Sequence, residues 1–302
     1  MNRFFSHILL SGSLLVLAGC QKQGPVELFD DGFQSQELEI ENVSRLSDDV
    51  YGVEDLDSLG RIPDVPSRTF GQMTIIGSVY RTPTEIHESS LARAVFFDRL
   101  SPLILHNDTV AYQTQDAGDV SIDDIPLYRT DKHFRIRGNN GDTILGIQYA
   151  LVNNDRVGGR GFQFVGRHSY HWNATGSGTI ASFSSEITSP PDLVVTSLNA
   201  SDGINVNREL IVRWRSGDLP VKLLISEVIS SGRTRPVLQL RTRANRNGIL
   251  IPTSILRLFR DKSAVVLTFS SQTSEKISVS GYGEEIRVRA ISSQSFLMPI
   301  NR

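Results

Sequence analysis

From residue 70 onward, apolar and polar positions alternate in short runs: QMTIIGSVY, ARAVFFD, DTVAYQTQ, HFRIRG, TILGIQYALV, GFQFVGRHSYHW and TIASFSSEI. A period of two puts successive side chains on opposite faces of an extended chain, so each run predicts a β-strand. Asn140-Gly141, Asn153-Asn154-Asp155 and Gly158-Gly159 fall between the runs and supply the residue types that tight turns need. One stretch, TEIHESSLARAVFFDRL, has spacing that allows a helix, and its β-branched and aromatic tail argues against most of one. Ser189-Pro190-Pro191 then interrupts the pattern, because proline has no N–H for a ladder. A second set of strand-like runs follows: DLVVTSL, ELIVRWRS, VKLLISEVI, PVLQLRTRA, GILIPTSILRLF, AVVLTFSS, KISVSG and EIRVRAI. In ELIVRWR, Leu210, Val212 and Trp214 share one face, which predicts Trp214 in a core with Arg213 and Arg215 wet.

Strands at this spacing predict an all-β chain of two consecutive β-sandwich-like domains, residues 70–190 and 191–302. INVNRELIVRWRSGD is similar to the early strands of immunoglobulin-like modules in exported bacterial proteins. The resemblance covers one strand and its flanks. It implies an immunoglobulin- or fibronectin-like sandwich for the second domain in architecture alone, since the Cys…Trp…Cys pattern of antibody domains is absent.

Residues 20–69 differ in character. Residues 21–70 carry twelve acids against four bases, few aromatics and a Pro-containing end, with no sustained helical or alternating period. ELEIENV (37–43) alternates as one edge strand would, though the surrounding composition favours a disordered tether. A coil of that length would span roughly 40 Å. Residues 192–302 carry sixteen bases against nine acids, so an acidic front precedes a basic rear.

The first nineteen residues read as an export leader: Arg3 near the amino terminus, an apolar stretch from Ile8 to Leu17, then Ala18-Gly19. The apolar stretch is too short for a membrane span. Cys20, the single cysteine of the 302 residues, follows at once. Leu17-Ala18-Gly19-Cys20 resembles the lipobox of bacterial lipoproteins. That resemblance implies cleavage before Cys20, acylation of its thiol, and a lipid bilayer as partner in the bacterial cell envelope. Gln21 at the next position, in place of the Asp that retains such proteins in the inner membrane, favours the outer membrane. Each buried lipid CH₂ contributes roughly 0.8 kcal/mol, and one chain alone anchors weakly, so several acyl chains are implied. A body without further cysteines uses no disulfides and depends on its cores.

Chemical signals in the body are sparse. Gly176-Ser177-Gly178-Thr179-Ile180-Ala181 matches a dinucleotide fingerprint, but SFSSEITSPP after it makes a poor helix, and a Gly-rich hairpin turn is expected. His168 and His171, three apart, would fall on opposite faces of a strand and share no metal without a bulge. Asp55-Leu56-Asp57-Ser58-Leu59-Gly60 and the pairs Asp48-Asp49 and Asp123-Asp124 offer oxygen ligands for calcium but lack the spacing of a helix–loop–helix site. No nucleophile elbow, zinc-protease or phosphate-loop motif occurs. No cofactor is expected.

Arg241 with Arg243, and Arg287 with Arg289, each share one strand face. In a single sheet, the four would make an arginine ladder suited to carboxylate or phosphate. Its expected partner is an anionic envelope component, a protein, or the chain's own acidic tether, with nucleic acid excluded by export and the few aromatics on that face. The sequence thus predicts a non-enzymatic binding or structural protein of the envelope. The alternative is an envelope enzyme acting on glycans with loop-borne carboxylates.

Overall fold

A computed structural model describes residues 39–42, 69–105, 108–135, 142–154, 162–229, 234–279 and 285–301. The leader, Cys20 and most of the acidic segment lie outside them. The described chain is nearly all β and sandwich-like. Its first ten strands are β1 (Glu39–Asn42), β2 (Thr69–Arg81), β3 (Ile86–Leu105), β4 (Asp108–Thr114), β5 (Val120–Ile122), β6 (Ile125–Pro126), β7 (Tyr128–Arg135), β8 (Asp142–Asn154), β9 (Ser169–Ala174) and β10 (Phe183–Thr188). After Pro191 come β11 (Val194–Val195), β12 (Ile204–Asn205), β13 (Leu210–Arg215), β14 (Lys222–Val228), β15 (Thr234–Arg241), β16 (Gly248–Ile251), β17 (Ala264–Ser278) and β18 (Glu285–Asn301). A single helical turn, α1 (Thr253–Leu256), precedes β17.

One large sheet runs in the order β1-β15-β14-β17-β18-β2-β3-β8-β7, with β4 beside β3 and β12 beside β18. A sheet β10-β9-β5-β6 and a sheet β11-β13-β16 complete the architecture. The small sheets make two cores on the large one. In the first, Met73, Ile75, Phe96, Tyr149, Ile286 and Val288 meet Tyr170, Trp172 and Ile187. In the second, Leu223, Ile225, Leu267, Phe269, Phe296 and Met298 meet Val212, Trp214, Ile249 and Ile251.

Two cores thus share one sheet, and strands read from the sequence with the second set, β17 and β18, supply side chains to the first core as well. The reason lies in β17 and β18. Neither carries an internal Gly, and the single Pro of β18, Pro299, comes near its end, so the alternating pattern persists for 15 and 17 residues. At about 3.3 Å per residue each strand is on the order of 50 Å long. Ile286, Val288 and Ala290 enter the first core, and Phe296 and Met298 the second. All five are even-numbered, hence on one face. Ser292 and Gln294, on that face between them, take the chain after Pro191: Leu193 N–H donates to Ser292 Oγ at 2.9 Å and Val195 N–H to Gln294 Oε1 at 2.6 Å.

Two sequence expectations change. The stretch that allowed a helix is strand β3, hydrogen-bonded to β2 on one side and β8 on the other. Ala92, Ala94 and Phe96 alternate into the first core, and ladder pairing on both sides outweighs local propensity. Within the stretch expected as a disordered tether, Glu39–Asn42 is an edge strand, antiparallel to β15. Trp214 is buried and Arg213 and Arg215 are exposed, as the alternation predicts.

Candidate functional site

The four arginines do lie on strands of one sheet or directly after one, yet they form no ladder. Arg241 stands opposite Lys222, Lys222 opposite Ser270, and Ser270 opposite Ser293. Opposed residues share a face, so Arg241 lies on the same side as Ser293, Arg289 and Arg287. That side is the second face of the sheet, turned away from both cores. Two strands, β14 and β17, intervene, and Arg289 is four residues farther down β18, which separates Arg241 from Arg289 by roughly 20 Å. Arg243 falls beyond the end of β15. The result is two sites: a half-buried pair, with Arg289 donating to Gln72 Oε1 at 3.3 Å, and an exposed corner at Arg241 and Arg243. Arg241 also stands in register with Glu39 of β1, which sets an acidic position beside the like-charged Arg241–Lys222 pair.

The fold gathers other titratable side chains at the β5–β6 turn. Asp123 and Asp124 occupy the β5–β6 turn with φ of 45° and 62°, a left-handed conformation that Asp tolerates. There Asp123 accepts on both oxygens: His168 Nε2 lies 2.9 Å from Oδ2, and His171 N–H donates to Oδ1 at 2.8 Å. His171 Nε2 is 3.5 Å from Glu186 of β10, and Ser169 Oγ donates to the other Glu186 oxygen. His168 precedes β9 and His171 sits inside it, so the tight turn collects two histidines that strand spacing alone sets apart. The sequence offered no signal for this, because Asp123 is 45 residues from His168. Among the described residues no His, Cys, Asp and Glu group is placed to hold a metal ion.

Two further networks hold carboxylates in place. Tyr149 donates to Asp116 Oδ1 at 2.6 Å and accepts from Ala117 N–H at 2.8 Å, and Arg129 approaches Asp116 Oδ2 at 3.3 Å. Burial, with the hydrogen bond to Asp116, pushes the Tyr149 hydroxyl up to about 12. Burial also raises Asp116, but Tyr149, the Gly118 N–H and Arg129 outweigh it and leave its carboxyl below the ordinary range. At the end of β14, Glu227 is buried; burial alone would raise it, and the bonds from Lys262 at 2.6 Å and from Arg235 lower it instead. Both acids are ionised, multiply bonded and fixed, so neither is poised to accept a proton from a substrate.

The Gly176–Ala181 motif forms the turn of the β9–β10 hairpin, with Gly176 at φ +84° and Ser177 N–H bonded to the Ile180 carbonyl at 2.7 Å. No helix follows it, so no phosphate-facing N–H cluster exists there. Asp48, Asp49, Asp55 and Asp57 lie outside the described residues.

No family model and no curated protein matches the chain. Among solved structures, the yeast delta-COP-I mu-homology domain aligns with 78% of this chain and all of its own, at 9% identity and a TM-score of 0.24. The same domain complexed with a Dsl1 WxWxV peptide aligns at 9% identity and a TM-score of 0.25. Similarity at that level carries no argument about this chain.

Proposed function

We propose that this protein is a lipid-anchored component of the bacterial cell envelope, held through acylated Cys20, with a binding or structural role. The observation that carries the reading is Leu17-Ala18-Gly19-Cys20 at the end of a short, Arg3-led apolar leader. None of the helices in the described residues is long and apolar enough to cross a membrane, so acyl chains are the anchor this reading needs. Non-enzymatic action is favoured because Asp116, Asp123 and Glu227 each spend their oxygens on bonds that pin turns and strand ends. The outer membrane is favoured by Gln21, and the exposed Arg241–Arg243 corner is the surface we assign to an anionic envelope component or protein partner.

Mass spectrometry of the product isolated from membranes tests the anchor. The expected mass lacks residues 1–19 and carries diacylglycerol on Cys20, and Cys20→Ala moves the protein to the soluble fraction. An unmodified Cys20 sulfur, or a leader still attached, would overturn the proposal.

A further inference from the structure

The two small sheets turn different faces to solvent. Outward on β9 and β10 are His171, Asn173, Ser184, Glu186 and Thr188, all exposed, all polar and none an arginine. On β13 the outward positions are Ile211, Arg213 and Arg215, all exposed, while Val212 and Trp214 between them enter the second core. The register sets Leu250 of β16 opposite Ile211, Gly248 opposite Arg213, and Val194 of β11 opposite Arg215. Opposed residues share a face, so the half-buried Leu250 and Val194 belong to the same outer surface. Arg246 is exposed at the rim near Gly248, where its carbonyl accepts Trp214 Nε1–H.

At the other end of β16 the pattern repeats. Ile251 stands opposite Leu210, and Pro252 leads straight into α1 and the short helical turn Arg257–Phe259. Ile255, Leu256 and Phe259 are buried in the second core, which leaves Arg257, Leu258 and Arg260 outside. Ile211 is 55% exposed and Leu258 54%. Among the described residues no carboxylate pairs with Arg213, Arg215 or Arg257, and Arg260 reaches only Asp261, at 3.8 Å. Five arginines against Glu209, Asp218 and Asp261, the acids nearest along the chain, leave this surface net positive. An exposed leucine or isoleucine alone is ordinary. Here each lies within two residues of an arginine: Ile211 by Arg213, Leu258 by Arg257 and Arg260.

We infer that the outer face of the β11-β13-β16 sheet, with the Arg257–Arg260 turn, docks on an anionic phospholipid surface. Guanidinium groups grip phosphate with paired N–H bonds, and apolar tips beside them enter the acyl boundary just beneath the headgroups. A soluble polyanion would engage the arginines and leave Ile211 and Leu258 wet, so the mixed surface favours lipid. The inference rests on the envelope reading for the presence of a membrane, and it adds a contact made by the folded body itself. Docking need not be tight. A body already tethered to the same bilayer meets it at high effective concentration, so weak adhesion is enough to fix its orientation.

The test uses residues 20–302 with Cys20→Ala, which keeps every described residue, carries no lipid and is free of cysteine. Sedimentation is measured with vesicles of equimolar phosphatidylglycerol and phosphatidylcholine, and with phosphatidylcholine alone. The chain is expected to bind the first and not the second, and less so as salt rises. Arg213→Gln with Arg215→Gln should lower the partition about twenty-fold, since each basic side chain near an anionic surface is worth roughly fivefold. Ser184→Glu with Thr188→Glu, which lowers the net charge equally but on the first small sheet, should change it far less. A nitrobenzoxadiazole probe on Ile211→Cys or Leu258→Cys should shift to the blue on the anionic vesicles, and one on Ser184→Cys should not. No binding to those vesicles, or equal binding by the Arg213→Gln/Arg215→Gln chain, would overturn the docking face. So would probes at Ile211 and Leu258 that stay in water, which would reassign the arginines to a soluble polyanion. Because this chain carries no acyl group, its result is independent of the mass found at Cys20, and either proposal can fail while the other stands.

Discussion

The two cores share a sheet but are built differently. The first is aromatic: Phe96 packs edge-on to Tyr149 and Phe183, and Phe162 to Tyr170, around Trp172. Its surrounding turns are tied by side chains, Tyr149 to Ala117 and Asp116, and Ser189 to Val165 and His168. The second is mostly aliphatic, with Phe269 tilted against Trp214 and edge-on to Phe296, and the Trp214 N–H bonded to the Arg246 carbonyl at 2.9 Å. Trp172 Nε1, by contrast, is buried without a hydrogen-bond partner. Each core has its own packing logic, and the β17–β18 pair supplies side chains to both. Cooperativity between the halves therefore depends on that hairpin and on the Ser292–Leu193 and Gln294–Val195 bonds at the junction.

The strongest way to break this comparison is Phe269→Ala. Phe269 is fully buried between Trp214 and Phe296 on the shared hairpin, and removing its ring should cost about 3–5 kcal/mol. Denaturation followed separately at Trp172 and Trp214, in Trp→Phe backgrounds, should show both midpoints falling together. A Trp172 transition left in place would mean that the halves unfold independently.

Gln294→Leu sharpens the junction. The Val195 N–H would be buried and unpaired, at a cost of about 1–3 kcal/mol. If coupling runs through this stitch, the variant should also separate the two tryptophan transitions, which Phe269→Ala should not. Equal stability to the parent chain would show that the junction contributes nothing.

The smallest expected effect is at Glu227, in the second half alone. Glu227→Gln should cost about 1–2 kcal/mol at neutral pH, since Arg235 and Lys262 are partly exposed and regain water. The folded-state pKa of Glu227 is lowered, so its contribution is present above the ordinary carboxylate value and is lost as pH falls through the folded one. The parent and variant should therefore converge only in acid, below the folded-state value, which itself lies under the ordinary carboxylate range. A gap that persists undiminished there would assign the effect to packing and not to ionisation.

Much of the architecture was legible because strands on a half-buried sheet obey a local rule. Val212 and Trp214 alternate with Ile211 and Arg213 within seven residues, and the burial follows the letters. The Gly176 turn and the Pro190-Pro191 interruption were equally local. The stretch now seen as β3 was harder, since its spacing fits two periods and only the ladders of β2 and β8 decide between them. The arginine ladder failed for a related reason: the parity of Arg241 and Arg289 is local, but the number of strands between them and the offset along β18 are not. The Asp123 cluster was invisible, because its members meet through a turn and a strand end far apart in the chain.

By itself, then, the sequence determined what each short segment would be: strand, turn, apolar face or wet face, and a leader ending at a single cysteine. These follow from backbone sterics and side-chain period, which act over a few residues. Only the tertiary structure decided that two cores hang on one sheet and that β2 lies parallel to β18. Those outcomes depend on which strands become neighbours, and pairing energy between segments 200 residues apart leaves no trace in the local pattern of either.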